Sequence, residues 1–304
     1  MESNLGSHFI WWVGVVEDRQ DPLKVGRCRV RILGSHTELK SLIPTEDLPW
    51  ALPMIPLNDN SSLQIKEGDY VTGFYLDGLD EHAPVIWGIL PGIPKSLPPV
   101  SQGFADPRTD LSGAPRLKDA EPTRYPSRIG EPTFSRLARN EKIIETPVFT
   151  KKEEALATVV PTAAPGVWTE PETPYAAVYP YNRVMETESG HILEFDDTPG
   201  AERVHIYHRS GTFDEVHPDG TKVVKIKADA YEIVLSDKNV YVKGALNITA
   251  DGDINILSGG SVNIQATESV KITAGAELTT LAGGLESHTA GAGITLIGVP
   301  INLN

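Results

Sequence analysis

Several things are scarce in this 304-residue chain, and each scarcity removes a class of protein. It holds one cysteine, Cys28, so no intrachain disulfide framework can brace it. Within Gly26-Arg27-Cys28-Arg29-Val30-Arg31-Ile32 that cysteine reads as a plain packed thiol. The longest early apolar run, Phe9 to Val16, is too short to span a bilayer. Acidic Glu2, Glu17 and Asp18 flank it, which argues against a secretory signal and for folding in a cytoplasm. Basic tracts are missing: 27 Lys and Arg stand against 41 Asp and Glu, a formal net charge of −14. Sequence-independent binding to nucleic acid is therefore not expected. No Ser-His-Asp arrangement, phosphate loop or zinc-ligand spacing emerges, so the chain reads as a non-enzyme without a cofactor.

The strongest positive signal lies at the end of the chain. Apolar pairs recur every eight residues: Leu246/Ile248, Ile254/Ile256, Val262/Ile264, Val270/Ile272 and Ile294/Leu296. Members of a pair stand two apart, the spacing of one face of a strand. Small residues hold every eighth position from Ala250 through Ser258, Ala266, Ala274, Ala282 and Ala290 to Gly298. Turns rich in Gly or Asp precede the pairs, as at Asp251-Gly252, Gly259-Gly260 and Gly283-Gly284. A fixed period of this kind means stacked layers.

Eight residues cannot enclose a core, because coils that wrap on themselves use roughly 20–29 residues per turn in one common class. Three chains giving one octad each supply about 24, and each layer then buries about six aliphatic side chains at ~1.5–3 kcal/mol apiece before ordering entropy. The tail is accordingly read as an intertwined trimeric β-helix, a β-prism with the aliphatic pairs toward the axis. A single-chain right-handed β-helix is the alternative.

Ahead of this tail the chain reads as all-β. Residues 1–95 carry five candidate strands, Phe9–Val16, Gly26–Leu33, Trp50–Pro56, Tyr70–Leu76 and Ala83–Leu90, which fit an oligonucleotide/oligosaccharide-binding (OB) barrel. Arg27, Arg29 and Arg31 alternate with Cys28, Val30 and Ile32, as on a strand with one solvated face. No aromatic platform is interleaved with them, so a solvated face or a protein contact is favoured over nucleic acid. Residues 96–184 are proline-dense, from Pro98 to Pro180, and read as an extended connector ordered by contact. Short helices are expected at Phe134–Lys142 and Lys151–Ala157, with Tyr175, Tyr179 and Tyr181 as anchors. Residues 185–233 return to β as a collar, with strands around Ile192–Phe195, Arg203–His208, Phe213–Val216 and Thr221–Ile226. Residues 234–304 form the needle, whose start overlaps a transition over 233–245 in which Val240/Val242 fits the pairing but stands six residues ahead of the next pair.

Trp12-Val13-Gly14-Val15-Val16-Glu17-Asp18-Arg19, continuing through Asp21-Pro22-Leu23-Lys24-Val25-Gly26-Arg27 to Val30-Arg31, resembles the N-terminal OB domain of the central spike proteins of contractile-tailed bacteriophages. Ile43-Pro44-Thr45-Glu46-Asp47-Leu48-Pro49-Trp50 resembles the same domain further on. The resemblance implies a trimeric domain that docks to the baseplate hub. The collar looks like the segment before the prism in phage spikes and in the valine-glycine repeat proteins of type VI secretion. Spikes of the T-even type carry a lysozyme domain between barrel and needle. Here under ninety proline-rich residues are available, so no muralytic activity is expected.

Candidate sites are few. Adjacent Asp196 and Asp197 would point to opposite faces of a strand, so they read as a turn opener rather than an acid/base pair. His205 and His208 diverge on a strand, which disfavours metal binding. In strict eightfold register Leu278/Thr280 and Glu286/His288 take axial pair positions. Three Glu286 and three His288 facing an apolar axis need pairing, water or an ion. Three readings stay open there: a bulge that brings Leu281 and Leu285 inside, a hydrated polar layer, or a metal ion held by His288. The trimer core is then Leu246, Ile248, Ile254, Ile256, Val262, Ile264, Val270, Ile272, Leu278, Ile294 and Leu296.

The resemblance implies a homotrimeric virion component of the tail baseplate that binds the hub through its OB domain and meets the host envelope transiently. Val299-Pro300-Ile301-Asn302-Leu303-Asn304 offers a polar end for a separate tip protein. A type VI secretion-like spike and a glycan-binding tailspike are the alternatives, though no aromatic groove is visible between Leu246 and Asn304.

Overall fold

The computed structural model describes residues 9–57, 65–91, 117–118, 127–128, 134–135, 137–139, 159–163, 166–187, 191–295 and 297–298. Strands β1 (Trp11–Asp18), β2 (Cys28–Ile32), β3 (Trp50–Pro53), β4 (Tyr70–Tyr75) and β5 (Pro84–Leu90) close a barrel in the order β1-β2-β3-β5-β4. All neighbours are antiparallel except β3 and β5, which pair in parallel. The five expected strands are all present, because alternation puts Val16, Cys28, Val30, Ile32, Val71, Tyr75 and Ile86 into one core. Gly73 is required where β4 meets β5, since a Cβ there would lie 1.9 Å from the Val85 carbonyl oxygen. Cys28 packs in this core, and burial pushes its thiol up to about 12.

The expectation of a solvated arginine face fails. Arg31 is fully buried and grips Glu17 through Nε (2.5 Å) and Nη2 (3.2 Å). Its remaining N–H groups donate to the Thr37 and Ile43 carbonyls, both at 2.7 Å. Thr45 Oγ1 donates to the same Glu17 carboxylate at 2.6 Å, so residues 37–45 are clamped over the barrel wall. Arg29 donates to the Thr45, Glu46 and Leu48 carbonyls and stacks on Trp50. Arg27 closes onto Asp21, whose carboxylate also accepts the backbone N–H of Leu23, Val25 and Arg27. The guanidinium holds that carboxyl well below the usual carboxylate range, against the opposing effect of burial. All three arginines organise loops, and only Arg31 is sealed from solvent, Arg27 and Arg29 staying partly exposed.

Within the connector, β6 (Leu117–Lys118) pairs with β7 (Ser127–Arg128), and β8 (Val159–Pro161) pairs with β9 (Val167–Thr169). The helix expected at Phe134–Lys142 is a turn over its described residues, with Ser135 Oγ accepting the Ala138 N–H. Lys151–Ala157 lies outside the described residues. Leu137 and Ala177 are buried and Tyr175 packs on the sheet below, whereas the Tyr179 and Tyr181 side chains are exposed in the single chain, with the Tyr181 carbonyl accepting the Asp197 N–H at 3.2 Å. Strands β10 (Asn182–Glu186), β11 (Ile192–Asp196), β12 (Arg203–Tyr207), β13 (Phe213–Val216) and β14 (Lys222–Lys225) form one antiparallel meander. It opens at Asn182, ahead of the expected boundary at 185. Among the described residues no helix is long and apolar enough to cross a membrane.

Residues 250–304 form a separate unit. From 227 to 295 the chain makes no strand of its own. It bends at 227–228, 235–236, 243–244 and 251–252, and so on every eight residues to 291–292, with extended pieces between the bends.

Candidate functional site

Alternation in the meander sorts its side chains onto two faces, and the sorting is the reverse of what a lone domain would choose. One face carries Asn182, Glu194, Asp196, Arg203, His205 and Glu215 among Ile192, Tyr207, Phe213 and Val223, and all of these are buried. The other face carries Met185, Phe195, Val204, Ile206 and Val224, all exposed, together with the charged Arg183, Asp214 and Lys222, of which Lys222 and Asp214 pair at 2.8 Å.

The buried Arg203, Glu194 and Glu215 pair with one another, while Arg203 Nε and Asp196 Oδ2 are buried without a hydrogen-bond partner among the described residues. Arg203 bridges Glu194 (Nη2 to Oε1, 2.7 Å) and Glu215 (Nη1 to Oε1, 2.7 Å). His205 Nδ1 stands 3.1 Å from Glu194 Oε2, and Asn182 Nδ2 donates to Glu194 Oε1 at 2.8 Å. Burial opposes ionisation of Glu194, but the His205 hydrogen bond and the Arg203 charge prevail and its pKa is lowered. The connector roofs this network: Thr173 Oγ1 donates to Glu215 at 2.8 Å, Tyr175 lies under the Arg203 guanidinium, and Lys225 pairs with Glu170 at 2.6 Å. The sheet thus has its charges sealed under residues 170–175 and a row of aliphatic and aromatic side chains exposed on its other face.

The expected pairs of acids and histidines do separate. Asp196 is buried and accepts the Thr198 N–H at 3.0 Å, opening the turn, while Asp197 faces out toward Arg183. His205 is buried in the charge network, and His208 sits in an exposed turn with Ser210.

The tail has the same character. Every described residue from 226 to 295 is exposed in the single chain. The degree of exposure still separates two sides of the winding. Leu246, Ile254, Val262, Val270, Leu278 and Ile294, the leading members of the pairs, keep 56–65% of their surface accessible. Leu257, Leu281, Leu285 and Ile297 keep 92–99%. The second members Ile248, Ile256, Ile264 and Ile272 fall between, at 69–81%. Leu281 and Leu285 are thus among the most exposed apolar residues of the single chain, and the bends keep their period of eight between 275 and 292. Glu286 and His288 hold the pair positions: His288 Nε2 lies 3.0 Å from Glu286 Oε1, which also accepts from Thr280 Oγ1 at 3.1 Å. The bends keep their period through 243–244, so the register before Leu246/Ile248 falls on Lys238 and Val240 rather than on Val240/Val242. Leu296 and the end from Val299 to Asn304 lie outside the described residues.

Sequence reasoning missed the buried network and its reversed faces. The signal was there in Leu193, Phe195, Val204 and Ile206 falling on one face, with Glu194, Asp196, Arg203 and His205 on the other.

Residues 34–165 match the family model of the Gp5 N-terminal OB domain, a span that starts inside the barrel and runs on into the connector. The chain is 43% identical over 266 residues to Protein Gp5 of Vibrio phage KVP40, covering 79% of this chain and 63% of that protein. It is 45% identical over 85 residues to the pre-baseplate central spike protein Gp5 of Enterobacteria phage T4, covering 28% of this chain and 15% of that protein. The chain thus spans less than two thirds of the length of either relative.

Proposed function

We propose, from the premise that this chain is a relative of the phage Gp5 proteins, that it is a structural central spike of a contractile tail baseplate. The spike is a homotrimer in which the apolar faces of three meanders meet and three tails interwind as a β-prism. One observation carries this reading: in a single chain Met185, Phe195, Val204, Ile206 and Val224 on one sheet face and the described pair positions of the octads are exposed, with no strand formed among the described residues of the tail. Extended backbone with unpaired N–H and C=O groups is a template for further strands, and the eight-residue period admits three chains per turn.

In this reading residues 1–95 dock to the hub, 96–184 connect, 185–233 form the collar and 234–304 form the needle that meets the host envelope. The role is mechanical, with no catalysis and no nucleic acid, and a separate tip protein seats on the end of the needle. Interwound strands cannot open one at a time, which suits an element loaded along its axis. A trimer puts three His288 imidazoles near the axis, where an ion could be held only by ligands from all three chains. Within one chain the described residues bring no three such ligands together. Sedimentation velocity on the full chain tests the assembly: a mass three times that of one chain is expected, and a monodisperse single-chain mass at micromolar concentration overturns it.

A further inference from the structure

The axial stripe of the tail contains one ionic layer, and four of its other layers, each a pair of aliphatic residues, are nearly interchangeable. Counting from the bends, the pair positions hold Leu246/Ile248, Ile254/Ile256, Val262/Ile264, Val270/Ile272 and Leu278/Thr280, then Glu286/His288, then Ile294. An aliphatic layer fits its neighbour's partner about as well as its own. Three chains built only from such layers could therefore pair one octad out of step by looping out eight residues of one chain. The meander fixes the alignment where the tail begins, but Glu286 lies some sixty residues beyond the end of β14 at Lys225.

We propose that the Glu286/His288 layer, hydrogen-bonded by Thr280 of the preceding octad, sets the axial register of the distal tail. This inference rests on the trimer reading above. Within one chain, Glu286 Oε1 is already occupied by Thr280 Oγ1 at 3.1 Å and His288 Nε2 at 3.0 Å. The other carboxylate oxygen and His288 Nδ1 are left for neighbouring chains. Around a threefold axis, three carboxylates and three imidazoles can then alternate in a closed ring, each acid between two histidines. The ring exists only when all three chains present the same octad at the same height. A chain displaced by one octad would set Glu286 and His288 against Leu278/Thr280 or Ile294 of its neighbours and leave a carboxylate in an apolar layer without its partners. A single polar layer that fixes alignment is the best attested use of buried polar groups in repetitive assemblies.

The test uses the full chain with Ile297→Cys carrying a nitroxide label. Ile297 is exposed, and buried Cys28, with its thiol pushed up to about 12, does not compete for the label. The protein is unfolded, refolded and measured by pulsed dipolar spectroscopy and by sedimentation, with and without Glu286→Val/His288→Val. The expected result is one narrow distance population for the protein with its ionic layer. The double variant should keep the trimer mass but gain a second, longer population. Identical narrow distributions in two trimers overturn the proposal, as does a double variant that no longer trimerises, since the layer would then supply cohesion rather than alignment. A single-chain mass for the parent protein would instead refute the trimer beneath it.

Discussion

Replacing Phe195 by aspartate should separate the folding of one protomer from the assembly of three. Phe195 keeps 46% of its surface exposed in the single chain, so about half of its burial remains to be gained from a partner. At ~1.5–3 kcal/mol for a full burial, that half is about 1 kcal/mol per protomer and about 3 for a trimer. Introducing a short carboxylate into the same apolar face adds at least ~1 kcal/mol per copy, because Asp cannot extend to reach water. The sum is about 6 kcal/mol, on the order of 10⁴-fold in the assembly constant. The protomer itself should tolerate the change: Arg183 lies directly opposite on β10 and offers the new carboxylate a cation. Circular dichroism and tryptophan fluorescence should therefore match the parent, while sedimentation velocity across a dilution series shows dissociation at concentrations where the parent stays trimeric. A Phe195→Asp protein that sediments as a trimer with unchanged dilution behaviour would refute the assignment of this face to the assembly. A variant with lost near-ultraviolet signal would refute the claim that the side chain is dispensable to the protomer.

Two further outcomes probe the buried charges. Glu17→Ala leaves Arg31 buried with no counter-ion and should destabilise the barrel by ~3–5 kcal/mol, read as a lowered urea midpoint of Trp12 fluorescence; a shift below about 1 kcal/mol would mean the clamp on residues 37–45 is dispensable. Glu194 has a lowered pKa in the fold, so its stabilisation is present above the ordinary carboxylate value of 4.5 and is lost as pH falls through the depressed folded value. Thermal unfolding followed from about pH 6 down to about pH 2 should show a shallower acid limb in Glu194→Gln than in the parent, and equal slopes would contradict this linkage.

Barrel and tail were both legible in the sequence because each repeats a period that geometry imposes. Alternation in Trp12–Val16, Cys28–Ile32 and Val71–Tyr75 names the inward residues whatever else the chain does. The octads show in the structure as bends that recur every eight residues, the period that the spacing of small and apolar residues announces. Arg31 was not legible, since alternation says which way a side chain points but not what lies over it. Its cover is the irregular segment 37–45, and its partners there are backbone carbonyls, which any sequence supplies. The meander was half legible. Its strands could be read, but the burial of Glu194, Arg203 and Glu215 depends on their meeting across three strands under a connector with no period of its own. Phe134–Lys142 misled for a related reason: Leu137 is spent on the sheet and Ser135 closes a single turn, so tertiary packing overrides local propensity.

The reversed meander has a consequence for the newly made subunit. Its ionic side is sealed by residues of the same chain, so a solitary copy can finish folding without help. Its greasy side is then displayed to the cell at once, on a regular strand array that any stray extended peptide would fit. Such a molecule is safest when synthesis of sister copies is closely spaced in time and place.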